Sequence, residues 1–388
     1  GVLQPLRQNR LWLSGNSGIR TELDPDDDDR IVIDNLRDAT PYTVDAAGGS
    51  EYLTPQEAYA AAVADGRGGQ TGLSAIILIQ PGVYDFGDTL FPITRAGISF
   101  VAVSAVDTGL AGVTFVTSSP AGGISVALPQ SNARAAVFQG ITFGQPNDAV
   151  NGFLLTHTGG ACILYKCAVL DSMARFRVGQ APAGQLAYLS FVECTLNGLP
   201  PHDLITTLDA TAVAFVRLST IQQSGTGPAP VSNGGYIFNC YAGLHEARFI
   251  GSFAKMNNYE GLMKGPGPTV VGGDASLTVT NSFVLSQGGN PEFNALLISG
   301  NISALLASSQ FSVHGSLILQ RENSSDTLVN EHSVQLSNSI VQTMQTSIMT
   351  DAGVTRIGEN AFLFTNSALG TKTTLLIDVQ QATANSTD

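Results

Sequence analysis

The sequence predicts an all-β fold, a right-handed parallel β-helix (β-solenoid) of about eleven to twelve coils with an N-terminal capping helix. Three observations carry this. Short strand pairs meet at polar corners, as in Leu277-Thr-Val-Thr-Asn-Ser-Phe-Val-Leu285, Gln335-Leu-Ser-Asn-Ser-Ile-Val341 and Ala361-Phe-Leu-Phe-Thr-Asn-Ser-Ala-Leu369. Aligned after the corner, Ser282, Gln310, Ser339 and Ser367 are spaced by 28, 29 and 28 residues, a period that marks a solenoid. Upstream the same register reads Gly82, Gly112, Gly140, Cys167, Cys194, Leu218 and Cys240. Between Cys240 and Ser282 lies a gap of 42 residues, with no convincing corner at Gly261. The third observation is compositional: apolar residues reach 43% and charged residues only 13%, about half the usual ~25%. That is an ordered chain rich in strands.

Residues 1–50 are expected to form an N-terminal arm outside the repeat. Leu11, Trp12 and Leu13 make an apolar knot, and Arg30-Ile-Val-Ile-Asp34 reads as a strand. Such apolar surface should be docked, on the coil's own flank or on a neighbouring subunit. The run Asp24-Pro-Asp-Asp-Asp-Asp29 offers carboxylates to calcium. The alternating ligands and glycine of a calcium loop are missing, so a solvated acidic loop is the plainer reading and no metal site is assigned. The β-helix itself is expected over 51–370.

Thr54-Pro-Gln-Glu57 opens the capping helix. Threonine suits the N-cap, proline the first helical position, and Glu57 completes a capping box. Ala58, Ala61 and Ala62 give a small-residue face, and Gly66 ends the helix. A helix here would cover the open first coil. Ser74 to Phe86 then supplies the first strand pair, with Pro81-Gly-Val-Tyr84 at its corner. The openings Gly97-Ile-Ser-Phe, Gly112-Val-Thr-Phe and Gly140-Ile-Thr-Phe follow.

Cap helix, apolar strand and glycine-led corners together resemble the entry to right-handed parallel β-helices of the pectin-lyase-like family. The resemblance covers about residues 50–370. It implies a fold, since that fold carries lyases, hydrolases, adhesins and viral fibres. In general style the chain is similar to the structural β-helix proteins of viruses and phages.

Further coils are expected in Cys162–Leu170, Ala187–Leu196, Ala212–Leu218 and Tyr236–Cys240, with alternate residues inward and outward. Loops with Pro and Gly separate them, at 180–184, 199–203, 224–230 and 264–268; a binding surface would be built there. Residues 371–388 hold a final strand, Thr374–Val379, and a polar C-terminal tail. Cys167, Cys194 and Cys240 should stack at the corners as buried small residues, a disulfide between coils being the alternative.

The resemblance implies polyuronide chemistry, which can be sought residue by residue. The hydrolase branch needs paired carboxylates. Its Asn-Thr-Asp, Asp-Asp, Gly-His-Gly and Arg-x-Lys motifs are absent from the coils. The lyase branch needs an acidic calcium site and a basic residue on neighbouring coils. The nearest set is Asp171, Arg175, Arg177, His202 and Asp203. Arg175 and Arg177, on one side of a strand, could grip a carboxylate sugar, or could simply pair with surface acids. His157, His245, His314 and His332 are scattered and read as loop or surface residues. No nucleophile elbow or phosphate loop occurs. The triplets at Asn301, Asn323 and Asn385 match glycosylation acceptors.

A net charge of −13 and four lysines (Lys166, Lys255, Lys264, Lys372) argue against nucleic acid as a partner. There is no apolar run long enough to span a membrane. No signal peptide is visible, and Gly1 reads as a processed start. The expected function is structural: a virion or fibre component without catalysis, cofactor or assigned binding residue, located on a virion or extracellular surface. Its partners would be copies of itself, up to a trimer, other surface proteins, or glycans. The alternatives are a polysaccharide lyase or hydrolase, and a glycan-binding adhesin.

Overall fold

The computed structural model describes residues 19–24, 27–35, 41–69, 72–103, 112–129, 134–144, 154–172, 176–179, 186–198, 203–207, 213–219, 222–225, 236–240, 244–255, 261–265, 275–285, 295–298, 302–313, 316–320, 332–343, 348–350, 360–371 and 377–378. The chain winds as a parallel β-solenoid with three strand-bearing faces. The second face is the simplest to follow. It is an 11-stranded sheet running from Gly82–Asp85 to Ala368–Thr371, one strand per coil. The first and third faces belong to one 22-stranded sheet. They are continuous because strand Leu155–Tyr165 pairs with third-face strands through its first half and with first-face strands through its second. Gly160, at φ +73, sits at that bend; a Cβ there would meet Leu128 Cβ at 2.6 Å.

At nine corners among the described residues the chain turns from the first face to the second through a left-handed residue. Gly112, Gly140, Lys166, Glu193, Gly251, Asn281, Ser308, Asn338 and Asn366 all have φ between 48 and 69°. Glycine, and to a lesser degree asparagine, tolerate this region. The residue that follows points inward. Cys167 and Cys194 fill this place, 3% and 2% exposed, on adjacent coils, as the stacking argument expects.

Five register expectations need correction. Gly112 and Gly140 are themselves the corner residues, with Val113 and Ile141 in the inward place. Ser309, not Gln310, is the inward residue of its coil, so Gln310 is exposed. The missing corner is Gly251-Ser252, and Cys240 lies elsewhere, opposite Thr207 on the third face. Leu218 is likewise a first-face core residue.

The helix spans Pro55–Ala64. Thr54 Oγ1 accepts from the Glu57 amide at 3.2 Å, and Glu57 Oε2 accepts from the Thr54 amide at 3.2 Å. This reciprocal pair satisfies two amides that no helical carbonyl can reach. The helix buries Ala58, Tyr59 and Ala62. The Tyr59 ring stands 5.5 Å from Phe91 and 6.2 Å from Phe100, while its hydroxyl accepts from the Thr94 and Arg95 amides. The lid is thereby keyed into the aromatic interior.

Strand Pro41–Val44, inside the span read as the arm, pairs in parallel with Ala75–Ile79 and begins the first face. Ahead of it, Ile19–Asp24 and Asp27–Asn35 form an antiparallel hairpin. Of the acidic run, Asp24 ends the first of these strands opposite Asp27, and Asp27, Asp28 and Asp29 open the second. Strand Ile19–Asp24 lies beside Ala135–Gln139, so this part of the arm rests on the coil's own flank. There Ala135, Val137 and Ile163 form a satellite apolar cluster on the outer side of the first face, 3–7% exposed. Trp12 and its neighbours lie outside the described residues, as do Asn301, the triplets at Asn323 and Asn385, and His314. At the other end Ile377–Asp378 pairs with Ile348–Met349.

Candidate functional site

The described residues assemble two outward-facing groups of polar and aromatic side chains, both in the middle coils. The first lies on the third face. In-register pairing places Arg177, Thr206, Asn239 and Lys264 in one column across four successive strands. Strand alternation forces this arrangement. Phe176, Ile205 and Phe238 point into the core, so the residue after each points out.

Asp203, just before its strand, fixes the middle of the column. Its Oδ1 accepts from the Tyr236 amide at 2.9 Å and its Oδ2 from Asn239 Nδ2 at 2.6 Å. Asn239 Oδ1 and Thr206 Oγ1 are enclosed and have no hydrogen-bond partner. An enclosed acceptor and hydroxyl side by side are a place for a water or a ligand hydroxyl. The Lys264 ammonium lies 5.4 Å from the centroid of the Tyr236 ring.

The second group lies on the first face. Tyr188 and Phe215 are register partners whose rings stack 4.7 Å apart at 9°. Beside them run Ser190, Arg217 and Arg248. Arg248 Nε is 2.8 Å from Glu246 Oε1, and Thr278 Oγ1 donates to the same carboxylate oxygen at 3.3 Å.

Of the residues the lyase reading singles out, Asp203 and Arg177 fall together on the third face, on adjacent coils. Asp171 is on the second face, in Ala168–Ser172, so it cannot join them. Arg175 and His202 lie outside the described residues. Sequence reading missed Thr206, Asn239 and Lys264. The signal was available in the alternation of Ile205-Thr206-Thr207 and Phe238-Asn239-Cys240, but only once the coils were paired correctly.

His157 is a correction of another kind. It is neither loop nor surface but wholly enclosed, with Nε2 2.9 Å from Gly160 O. Burial lowers its pKa to about 4, so the ring is neutral at pH 7. Burial likewise raises the Cys162 and Cys167 thiols well above their ordinary value, which keeps them protonated and unreactive. None of the four cysteines is in a disulfide. Among the described residues no group of three or more His, Cys, Asp or Glu side chains could hold a metal ion, and no helix is long and apolar enough to cross a membrane.

Topology and cap together define a parallel β-solenoid with a helix packed at its N-terminal end. No family model matches the chain, and no curated protein does. Among solved structures it is similar to pectin methylesterase from carrot, with 14% identity over 86% of this chain and 84% of that one, at a TM-score of 0.43. It is also similar to the A-module of the Azotobacter vinelandii mannuronan C-5 epimerase AlgE4, with 11% identity over 81% and 91%, at 0.41. The tailspike protein of Acinetobacter phage vB_ApiP_P1 shares 11% identity over 87% of this chain and 61% of that one, also at 0.41. At such identities the likeness concerns the fold.

Proposed function

We propose that the chain is a structural, surface-exposed β-solenoid, a component of a virion or an extracellular fibre. The observation that supports this reading best is the unbroken file of corner contacts from Ser252 to Ser367. The amide of each serine donates to the hydroxyl of the next coil's serine, at 3.1, 3.1, 3.1 and 3.0 Å across separations of 30, 27, 30 and 28 residues. Coils pinned to their neighbours in this way resist bending, as a rod or spacer must. The test is the composition of purified particles or surface fractions. The chain should appear there in stoichiometric amount, and its absence would remove the proposal.

The second reading, a carbohydrate-binding or carbohydrate-cleaving protein, is favoured by the column from Arg177 to Lys264. Incubation with pectate or alginate should yield no unsaturated ends. Turnover that disappears in Arg177→Ala would favour an enzyme over a rod.

A further inference from the structure

The acidity of this chain is distributed very unevenly. From Ala275 to Thr371 the strands of the first and second faces are 275–280, 283–285, 302–307, 310–313, 332–337, 340–343, 360–365 and 368–371. None contains an Asp, Glu, Lys or Arg, and neither do the corners Asn281-Ser282, Ser308-Ser309, Asn338-Ser339 and Asn366-Ser367. Every charged residue between 275 and 371 falls in the connections outside these strands. Four coils thus present an uncharged wedge of two faces and the corner between them, on a chain of net charge −13. Solvent-facing protein surface ordinarily carries about 25–35% charged residues.

The wedge is open to solvent and partly apolar. Ile340 and Leu363 are 46% and 56% exposed, and Phe253, stacked on Phe283 at 5.7 Å, borders it at 38%. Around them stand exposed hydroxyls and amides, among them Ser303, Gln310, Gln335 and Gln342.

We propose that the wedge is a self-association surface, whose occupant is further copies of this chain lying parallel to it. Two arguments select that partner. Two rods of charge −13 repel one another, and the wedge lets them approach without bringing fixed charges together. Exposed apolar side chains occur on both faces, Leu363 on the first and Ile340 on the second. The first face of one copy can therefore cover the second face of its neighbour, and this contact repeats around an axis along the stack.

This inference does not rest on the structural function proposed above; a glycan-binding rod could associate in the same way. The experiment is sedimentation velocity on the full chain, with Ile340→Glu, Leu363→Glu and, at an exposed apolar residue outside the wedge, Val83→Glu. The parent and Val83→Glu should sediment as one multiple of the monomer mass, unchanged by ~1 M NaCl because no ion pairs are involved. Each wedge variant should weaken association at least about 100-fold by placing an unpaired carboxylate in the contact, with an unchanged far-UV circular dichroism spectrum. A parent monomeric at about 100 μM, far above the dissociation constant of a stable interface, would overturn the proposal. So would wedge variants that assemble normally, or a Val83→Glu that disperses the assembly equally.

Discussion

In the coils up to Phe191 the interior is a connected run of rings; from Ser252 onward it is mainly aliphatic, with a file of hydroxyls at one corner. Phe86, Phe91, Phe100, Phe115, Phe138, Phe143, Phe176 and Phe191 form one network of ring contacts, with centroids 5.1–6.0 Å apart. Tyr59 of the lid joins the same network. In the later coils Leu277, Leu306, Val334 and Leu336 fill the corresponding space. The corner differs in parallel. Cys167 and Cys194 donate to the carbonyls of Phe138 and Leu164 at 3.3 and 3.2 Å. Ser282 and Ser339 donate to those of Phe249 and Leu306 at 3.2 and 2.8 Å. Thiol and hydroxyl thus perform one geometric task. The hydroxyl is the stronger acceptor, so it can also receive the neighbouring coil's amide. One half relies on ring burial and the other adds directed bonds.

The sharpest way to break this contrast is Phe138→Ala, which removes a ring stacked on Phe100 at 5.1 Å and touching Phe143 at 5.8 Å. A loss of about 3–5 kcal/mol is expected. Because coils contact only their neighbours, the damage should be local. Hydrogen exchange should show lost protection in Ile98–Ala102 and Ala135–Gln139, with Ile302–Ala307 unchanged.

Acid should separate the halves next. His157 is held neutral in the fold with a pKa of about 4, against the ordinary 6.5 of a histidine in water. Between those values the unfolded chain takes up a proton that the folded chain refuses. Its contribution is therefore fully present above pH ~6.5 and falls by about 1.4 kcal/mol per pH unit, to a loss of about 3 kcal/mol near pH 4. Melting between pH 7 and pH 4 should be steeper in the parent than in His157→Gln, which keeps a donor for Gly160 O. Equal slopes would refute this origin.

Ser339→Ala tests the other half. It strips the Ser309 amide of its partner and removes the one hydroxyl proton shared between the Leu306 and Ser337 carbonyls, at a cost of about 1–3 kcal/mol. Faster exchange of the Ser309 amide is the specific readout. Ser339→Cys, which imitates the early coils, should cost less than Ser339→Ala.

The smallest effect concerns backbone strain. Glu193 adopts φ +53 with a side chain that gains little there; its 3.7 Å pair with Lys166 is exposed. Glu193→Gly should raise stability by roughly 0.5–1 kcal/mol in thermal melts.

How much of this was legible follows the same divide. Asn-Ser corners announce themselves, because a left-handed residue followed by an inward hydroxyl leaves a dipeptide signature. The earlier corners use Gly112, Gly140, Lys166 and Glu193, whose types share nothing except tolerance of the geometry. Register slipped by one residue at the two glycines for that reason. Asn239-Cys240 imitated a corner dipeptide while belonging to a flat strand. The candidate site was less legible still. Asp171 and Arg177 are close in sequence, yet Asp171 belongs to a second-face strand and Arg177 to a third-face one. His157 could have been placed: it follows Leu155 at strand spacing, and an inward leucine fixes an inward histidine two residues on.

The serine file also bears on how such a molecule changes length over generations. Its intervals vary between 27 and 30 residues, while every rung advances the stack by the same strand spacing of ~4.8 Å. Loop length is thus decoupled from rise. A duplicated coil would bring its own corner residue, donate upward, accept from below, and add one increment of reach without altering any other coil. The length of the rod is in that sense a quantised trait, open to selection in single steps, while insertions between rungs vary freely on its outside.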